Sequence, residues 1–135
     1  MEYISAEEFL KQPKEVQEVF LKWWQPSEGD LFIFDVNKLD FKECVLFVMD
    51  DYIRGINALY NPNECIPMLA EGQLRKFIED KTGNKTTTEF YQITGYDIAI
   101  EDGTMIINDS FDGLGEDLLQ AYWKVACEIA KEQLQ

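Results

Sequence analysis

A chain of 135 residues with 46% hydrophobic and 13% aromatic residues is apolar enough to close a packed core, which speaks against global disorder. Its 12 basic and 26 acidic residues leave a net charge of −14, which speaks against nucleic-acid binding by phosphate neutralisation and against docking on an anionic membrane. The absence of histidine excludes Ser-His and Cys-His catalysis and every zinc site that needs imidazole.

The first element is announced by Ser5-Ala6-Glu7-Glu8, a capping box that predicts a short helix to about Lys11. Pro13 suits the first turn of a second helix, because the missing N–H is an orphan there anyway. Val16, Val19, Phe20, Trp23 and Trp24 recur at helical spacing, and Pro26 and Gly29 end the pattern. Leu31-Phe32-Ile33-Phe34 and Cys44-Val45-Leu46-Phe47-Val48-Met49 are apolar runs bounded by aspartates, which predicts an antiparallel hairpin. Residues 50–67 hold Tyr52, Ile53, Ile56, Leu59 and Tyr60, the material of a short helix. They are broken by Asn61-Pro62-Asn63 and Pro67.

Glu71 to Thr82 reads as a helix with Leu74, Phe77 and Ile78 on its apolar stripe and Gly83 at its left-handed end. A strand-like region runs from Thr86 to Ile93. Tyr96, Ile98 and Ile100 then alternate with Asp97, Ala99 and Glu101. Asp102-Gly103 predicts a hairpin turn with Thr104 to Ile107 as the returning strand. The last helix carries Leu118, Leu119, Tyr122, Trp123, Val125, Ala126, Ile129 and Ala130 to about Glu132, with Glu116 and Asp117 at its positive end.

Strands arriving in hairpins predict an α+β fold in one domain spanning residues 1–135. Its mainly antiparallel sheet has four to five strands, packed by N-terminal, central and C-terminal helices. Phe20, Phe34, Val45, Phe47, Phe77, Ile98, Ile107, Leu119, Trp123 and Ile129 are expected to share its core. Cys44, Cys65 and Cys127 are an odd number without a C-x-x-C pair, which predicts reduced thiols in a cytoplasm, with Cys44 and Cys127 as small core residues. The N-terminus lacks a signal-sequence pattern, and no segment approaches a membrane span.

The acids are unevenly spread. No base lies between Lys85 and Lys124, a stretch that holds Glu89, Asp97, Glu101, Asp102, Asp109, Asp112, Glu116 and Asp117. Glu101, Asp102, Asp109, Asp112, Glu116 and Asp117 are therefore the candidate acidic binding face, either a surface for a basic protein or a solubilising coat. Asn108 to Gly113 opens like a calcium loop, but its twelfth position is Leu119 where a bidentate Glu is required, so no metal is expected. No phosphate loop or nucleophile motif occurs, and neither enzymatic activity nor a cofactor is expected. Trp23 and Trp24 point about 100° apart on a helix, so at most one is central to a core and the other is a candidate interface anchor.

Three segments carry a resemblance. Pro13 to Gln17 leads through Trp23-Trp24-Gln25-Pro26 to Gly29-Asp30-Leu31-Phe32; Ile66 to Gly83 is the second, and Asp117 to Ala130 the third. Together they resemble small phage and prophage proteins of Gram-positive bacteria, and the third resembles the final helix of small phage proteins with an α-β-α sandwich. Residues 33–65 and 84–116 lie outside the resemblance. The group offers no catalytic residues to carry over. The resemblance implies an accessory or counter-defence factor in the host cytoplasm, with a host protein, such as a nuclease or defence protein, as partner. The alternative is a binder or hydrolase of a small nucleotide signal in a pocket between sheet and helices, with Arg75 and Lys76 supplying the positive charge.

Overall fold

The computed structural model describes residues 2–25, 27, 29–34, 47–48, 65–102 and 107–135. The chain divides into two compact units, one of Ser5–Leu69 and one of the residues up to Ile4 with Ala70–Gln135.

In the first unit, α1 (Ala6–Leu10) starts where Ser5 Oγ accepts the Glu8 backbone N–H at 3.1 Å. Helix α2 (Lys14–Trp23) follows Pro13 and buries Val16 and Phe20. The rings of Phe9 and Phe20 meet edge to face at 6.1 Å, and the Gln17 amide donates to the carbonyls of Leu10 and Gln12. One apolar contact and two hydrogen bonds thus fix the corner between the helices. Strand β1 (Leu31–Phe34) pairs antiparallel with β2 (Phe47–Val48), as the two apolar runs predict, and on its other side with β3 (Cys65–Pro67). The third strand contradicts the reading of Pro67 as a breaker. In this register Ile33 faces Ile66, and the Met68 N–H donates to the Leu31 carbonyl at 2.8 Å. Pro67 lies between those bonded positions, so its missing N–H falls on the side away from β1 and the ladder loses nothing. The buried Ile66, Met68 and Leu69 then complete the apolar side of this segment. The short helix expected around residues 52–60, and Cys44 and Val45, lie outside the described residues.

In the second unit, α3 (Glu71–Thr82) has the predicted limits, and Gly83 takes φ 71° with its N–H donating to the Glu79 carbonyl. Strands β4 (Lys85–Tyr91), β5 (Gly95–Glu101) and β6 (Ile107–Phe111) form an antiparallel sheet in the order β4-β5-β6. Helix α4 (Leu118–Glu132) buries Leu119, Tyr122, Trp123, Val125, Ala126, Cys127 and Ile129. It packs on α3 and β5, so Phe77, Ile98, Leu119, Trp123 and Ile129 are all buried within this unit, while Phe20 is buried in the other. The side chains of Phe34, Val45, Phe47 and Ile107 lie outside the described ones.

Mixed α+β architecture is what hairpin patterning predicts, but the sheet of four to five strands is not found. Two sheets of three strands are present among the described residues. The physical reason lies partly at β4. The Thr86 N–H, which points away from β5, is taken by the Glu79 carboxylate at 3.0 Å, so the ladder stops there. Strand β6 ends later than predicted, because Asn108, Asp109 and Ser110 are strand residues and not a loop, while the turn expected at Asp102-Gly103 and residues 104–106 fall outside the described residues except for Asp102. No helix among the described residues is long and apolar enough to cross a membrane.

Asp117 caps α4 by accepting the Gln120 N–H at 3.0 Å. Asp117→Ala is expected to cost about 1 kcal/mol, read as a lower urea midpoint at unchanged slope.

Candidate functional site

The β4-β5-β6 sheet has two unlike faces, set by strand alternation. Thr86 and Thr88 of β4 and Ile98 and Ile100 of β5 share one face. Ile98 and Ile100 are buried, and the hydroxyls of Thr88 and Tyr122 of α4 share a hydrogen bond of 2.7 Å. The opposite face carries Thr87, Glu89, Tyr91, Asp97, Ala99, Glu101, Ser110 and Asp112, which line a shallow concavity of about 200 Å³.

Each of its four carboxylates is held by one hydrogen bond. Glu89 accepts from the Tyr91 hydroxyl, Glu101 from the Thr87 hydroxyl at 3.3 Å, Asp112 from the Ser110 hydroxyl at 2.8 Å, and Asp97 from the Gly113 N–H at 2.8 Å. None of the four meets a cation among the described residues. Lys124, which ends the base-free stretch, donates instead to the Leu114 carbonyl. Glu89 and Asp97 are directly opposed across the hairpin, a like-charge pairing that costs sheet stability.

The consequence is legible in Tyr91. Its phenol is held above the ordinary value of 10, first by donating its proton to Glu89 and then by repulsion between phenolate and the charges of Glu89, Asp97 and Asp112. A tyrosine pKa raised by folding means that the folded chain holds the proton more tightly than the unfolded chain. The stability it contributes is complete below about pH 10 and is lost as pH rises through the higher folded value. The absorbance difference between wild type and Tyr91→Phe in an alkaline titration is expected to rise above pH ~10. Glu89→Gln should move that difference down.

The acids singled out in the sequence are not all brought together. Glu101 and Asp112 lie on this face. Asp109, exposed, pairs with Ile100 on the other parity of the strand, and its carboxylate accepts its neighbour's N–H at Ser110. Asp117 is spent as the α4 cap, Glu116 is exposed in the loop before it, and Asp102 follows the end of β5. Sequence reasoning left Glu89 and Asp97 out of the face. The signal that finds them is register: three residues, Gln92 to Thr94, join β4 to β5 and place Glu89 opposite Asp97.

It also missed the hairpin tip. Ile93 is 98% exposed, Phe90 50% and Tyr91 48%, with the Phe90 ring 4.9 Å from that of Tyr96. Three large apolar side chains are thus exposed at one hairpin end, Tyr91 on the acidic face and Phe90 on the opposite one.

The other candidates are engaged elsewhere. Trp24 is buried and its indole N–H donates to Asp30 at 3.1 Å, while Trp23 is half-buried. Arg75 approaches Glu79 at 3.7 Å and Lys76 meets Asp80 at 3.0 Å along the exposed side of α3, so they do not converge on an anion site. A second concavity of about 330 Å³ is lined by Glu2, Ala70, Glu71, Gly72 and Leu119, whose two carboxylates repel a phosphate ligand. No three Cys, Asp or Glu side chains among the described residues gather closely enough to hold a metal ion. The segment that opens like a calcium loop is extended strand through Phe111, paired with β5, and not a loop coiled around a cation. Compared with protein-family models, curated proteins and solved structures, the chain matches none.

Proposed function

We propose that this chain is a protein-binding module of phage origin, an accessory or counter-defence factor that occupies a basic surface of a host protein in the cytoplasm. It acts by binding and not by catalysis. The observation that carries the reading is the outer face of β4-β5-β6, where Glu89, Asp97, Glu101 and Asp112 are each fixed by one hydrogen bond and meet no cation among the described residues. Carboxylates held in place lose little freedom on meeting lysine or arginine, and their summed field accelerates encounter with a basic partner. The exposed Tyr91 on the same face, with Ile93 at the hairpin tip, supplies apolar contact beside that field. The phage origin rests on the resemblance of the three segments described above.

The test is capture from bacterial lysate by immobilised wild type and by a Glu89→Gln/Glu101→Gln/Asp112→Asn variant. The new amides still accept the hydrogen bonds of Tyr91, Thr87 and Ser110, so the fold is kept while three charges go. A host protein captured by wild type at low salt, lost at ~0.5 M salt and lost in the variant supports the reading. Capture that is indifferent to both overturns it.

A further inference from the structure

The edge of β4 that no strand among the described residues pairs runs toward the hairpin tip, and its backbone is unequally open. Lys85, Thr87, Glu89 and Tyr91 face Glu101, Ala99, Asp97 and Gly95 of β5. The Thr86 N–H, of the other parity, donates to Glu79 instead of β5, so the N–H groups of Thr86, Thr88 and Phe90 all point off the sheet. Glu79, flanked by Arg75 and Lys85, closes the edge at Thr86. Nothing comparable stands at Thr88 and Phe90 among the described residues, where both side chains are exposed. An exposed edge with outward N–H and C=O groups is a template for another strand.

We propose that the segment from Thr88 to Tyr91 takes up an extended segment of the partner as a fourth, antiparallel strand. This rests on the reading of the chain as an acidic protein-binding module. The faces of the sheet fix the chemistry of the guest. Guest residues bonded to Thr88 and Phe90 lie on the helix-covered side, where the half-exposed Phe90 ring asks for apolar side chains. Guest residues between them stand beside Glu89 on the outer side, where the four carboxylates, which meet no cation among the described residues, ask for lysine or arginine. The guest is therefore a strand alternating basic and apolar residues. A second copy of this chain is a poor guest, because a charge of −14 on each copy opposes the pairing and Glu89 would meet another acid-rich face.

The probe is an end-capped seven-residue peptide alternating lysine and valine, titrated into the 135-residue chain. Two further peptides of equal charge carry backbone N-methyl groups, one at the valines and one at the lysines. The unmodified peptide and the lysine-methylated peptide should bind alike, because lysine N–H groups point away from β4. Valine methylation should weaken binding at least ~tenfold. Amide exchange at Thr88 and Phe90 should slow by at least ~tenfold with peptide bound, with little change at Thr86, whose N–H is already held. Equal binding of all three peptides overturns strand addition while leaving the acidic face intact as a charge-driven surface. Binding of none overturns it as well, and the acidic-face reading is then judged separately by its salt-dependent lysate capture.

Discussion

Trp123→Ala is expected to destabilise the second unit by about 3–5 kcal/mol, a large share of a typical domain's stability. The indole is 5% exposed on α4, whose buried side spans Leu119 to Ala130 and packs on α3 and β5. Truncation removes the apolar area of the largest side chain type and leaves a void that the close-packed surroundings fill only in part. Urea unfolding followed by far-ultraviolet circular dichroism reads the loss. Trp123→Phe, which keeps most of the volume, should recover more than half of it. A midpoint unchanged by the alanine would mean that α4 presents a different side to the core.

Gly95→Ala is expected to cost about 2–5 kcal/mol, the sum of a left-handed backbone penalty and an overpacking penalty. Gly95 begins β5 at φ 85°, and a methyl group there would stand inside the van der Waals boundary of the Gly115 carbonyl. The clash is with backbone, so no rotamer relieves it. The same carbonyl accepts the Tyr96 N–H at 2.7 Å, and the Leu114 N–H donates to the Tyr96 carbonyl at 2.9 Å. This crossing ties the β4-β5 hairpin to the loop before α4, so the substitution should loosen both. Gly115→Ala is the control. Its φ is 92°, but its added methyl would meet only the end of Lys124, so about 1–2 kcal/mol of backbone strain is expected. Equal costs at the two glycines would show that the close approach is not a constraint on the fold.

Local chemistry made the helices legible. Ser5, Gly83 and Asp117 mark ends that are fixed by their own hydrogen bonds or by a positive φ, which depend on neighbours in sequence. Strand partners are not local information, and the expected four- to five-stranded sheet failed for that reason. Cys65-Ile66-Pro67 was hidden among breakers, because whether Pro67 is tolerated depends on which side of β3 faces β1. Strand β6 was hidden by its polarity: at this sheet edge Asp109 and Ser110 are both exposed although they point to opposite faces.

The candidate site was half legible. Alternation of Tyr96, Ile98 and Ile100 with Asp97, Ala99 and Glu101 already separates a covered face from a wet one. The pairing of β6 with β5 then decides which acids join the wet face. Asp109 faces Ile100 and Ser110 faces Ala99, so once this register is known alternation takes Asp109 off the wet face and leaves Asp112 on it. Asp117 looked like part of the patch because charge count does not distinguish a cap from a binding group. The exposed tip at Phe90, Tyr91 and Ile93 escaped notice because apolar residues in a strand-like run read as core until their neighbours are known.

The central claim is that the outer face of β4-β5-β6 recruits a basic partner by its field. The direct measurement is the association and dissociation rate of the captured host protein across ionic strength, for wild type and for the Glu89→Gln/Glu101→Gln/Asp112→Asn variant. The account predicts that wild-type association slows at least ~tenfold between ~0.05 and ~0.5 M salt, with dissociation changing far less. The variant should associate slowly at every salt concentration. Association rates equal in the two proteins and flat with salt would contradict it.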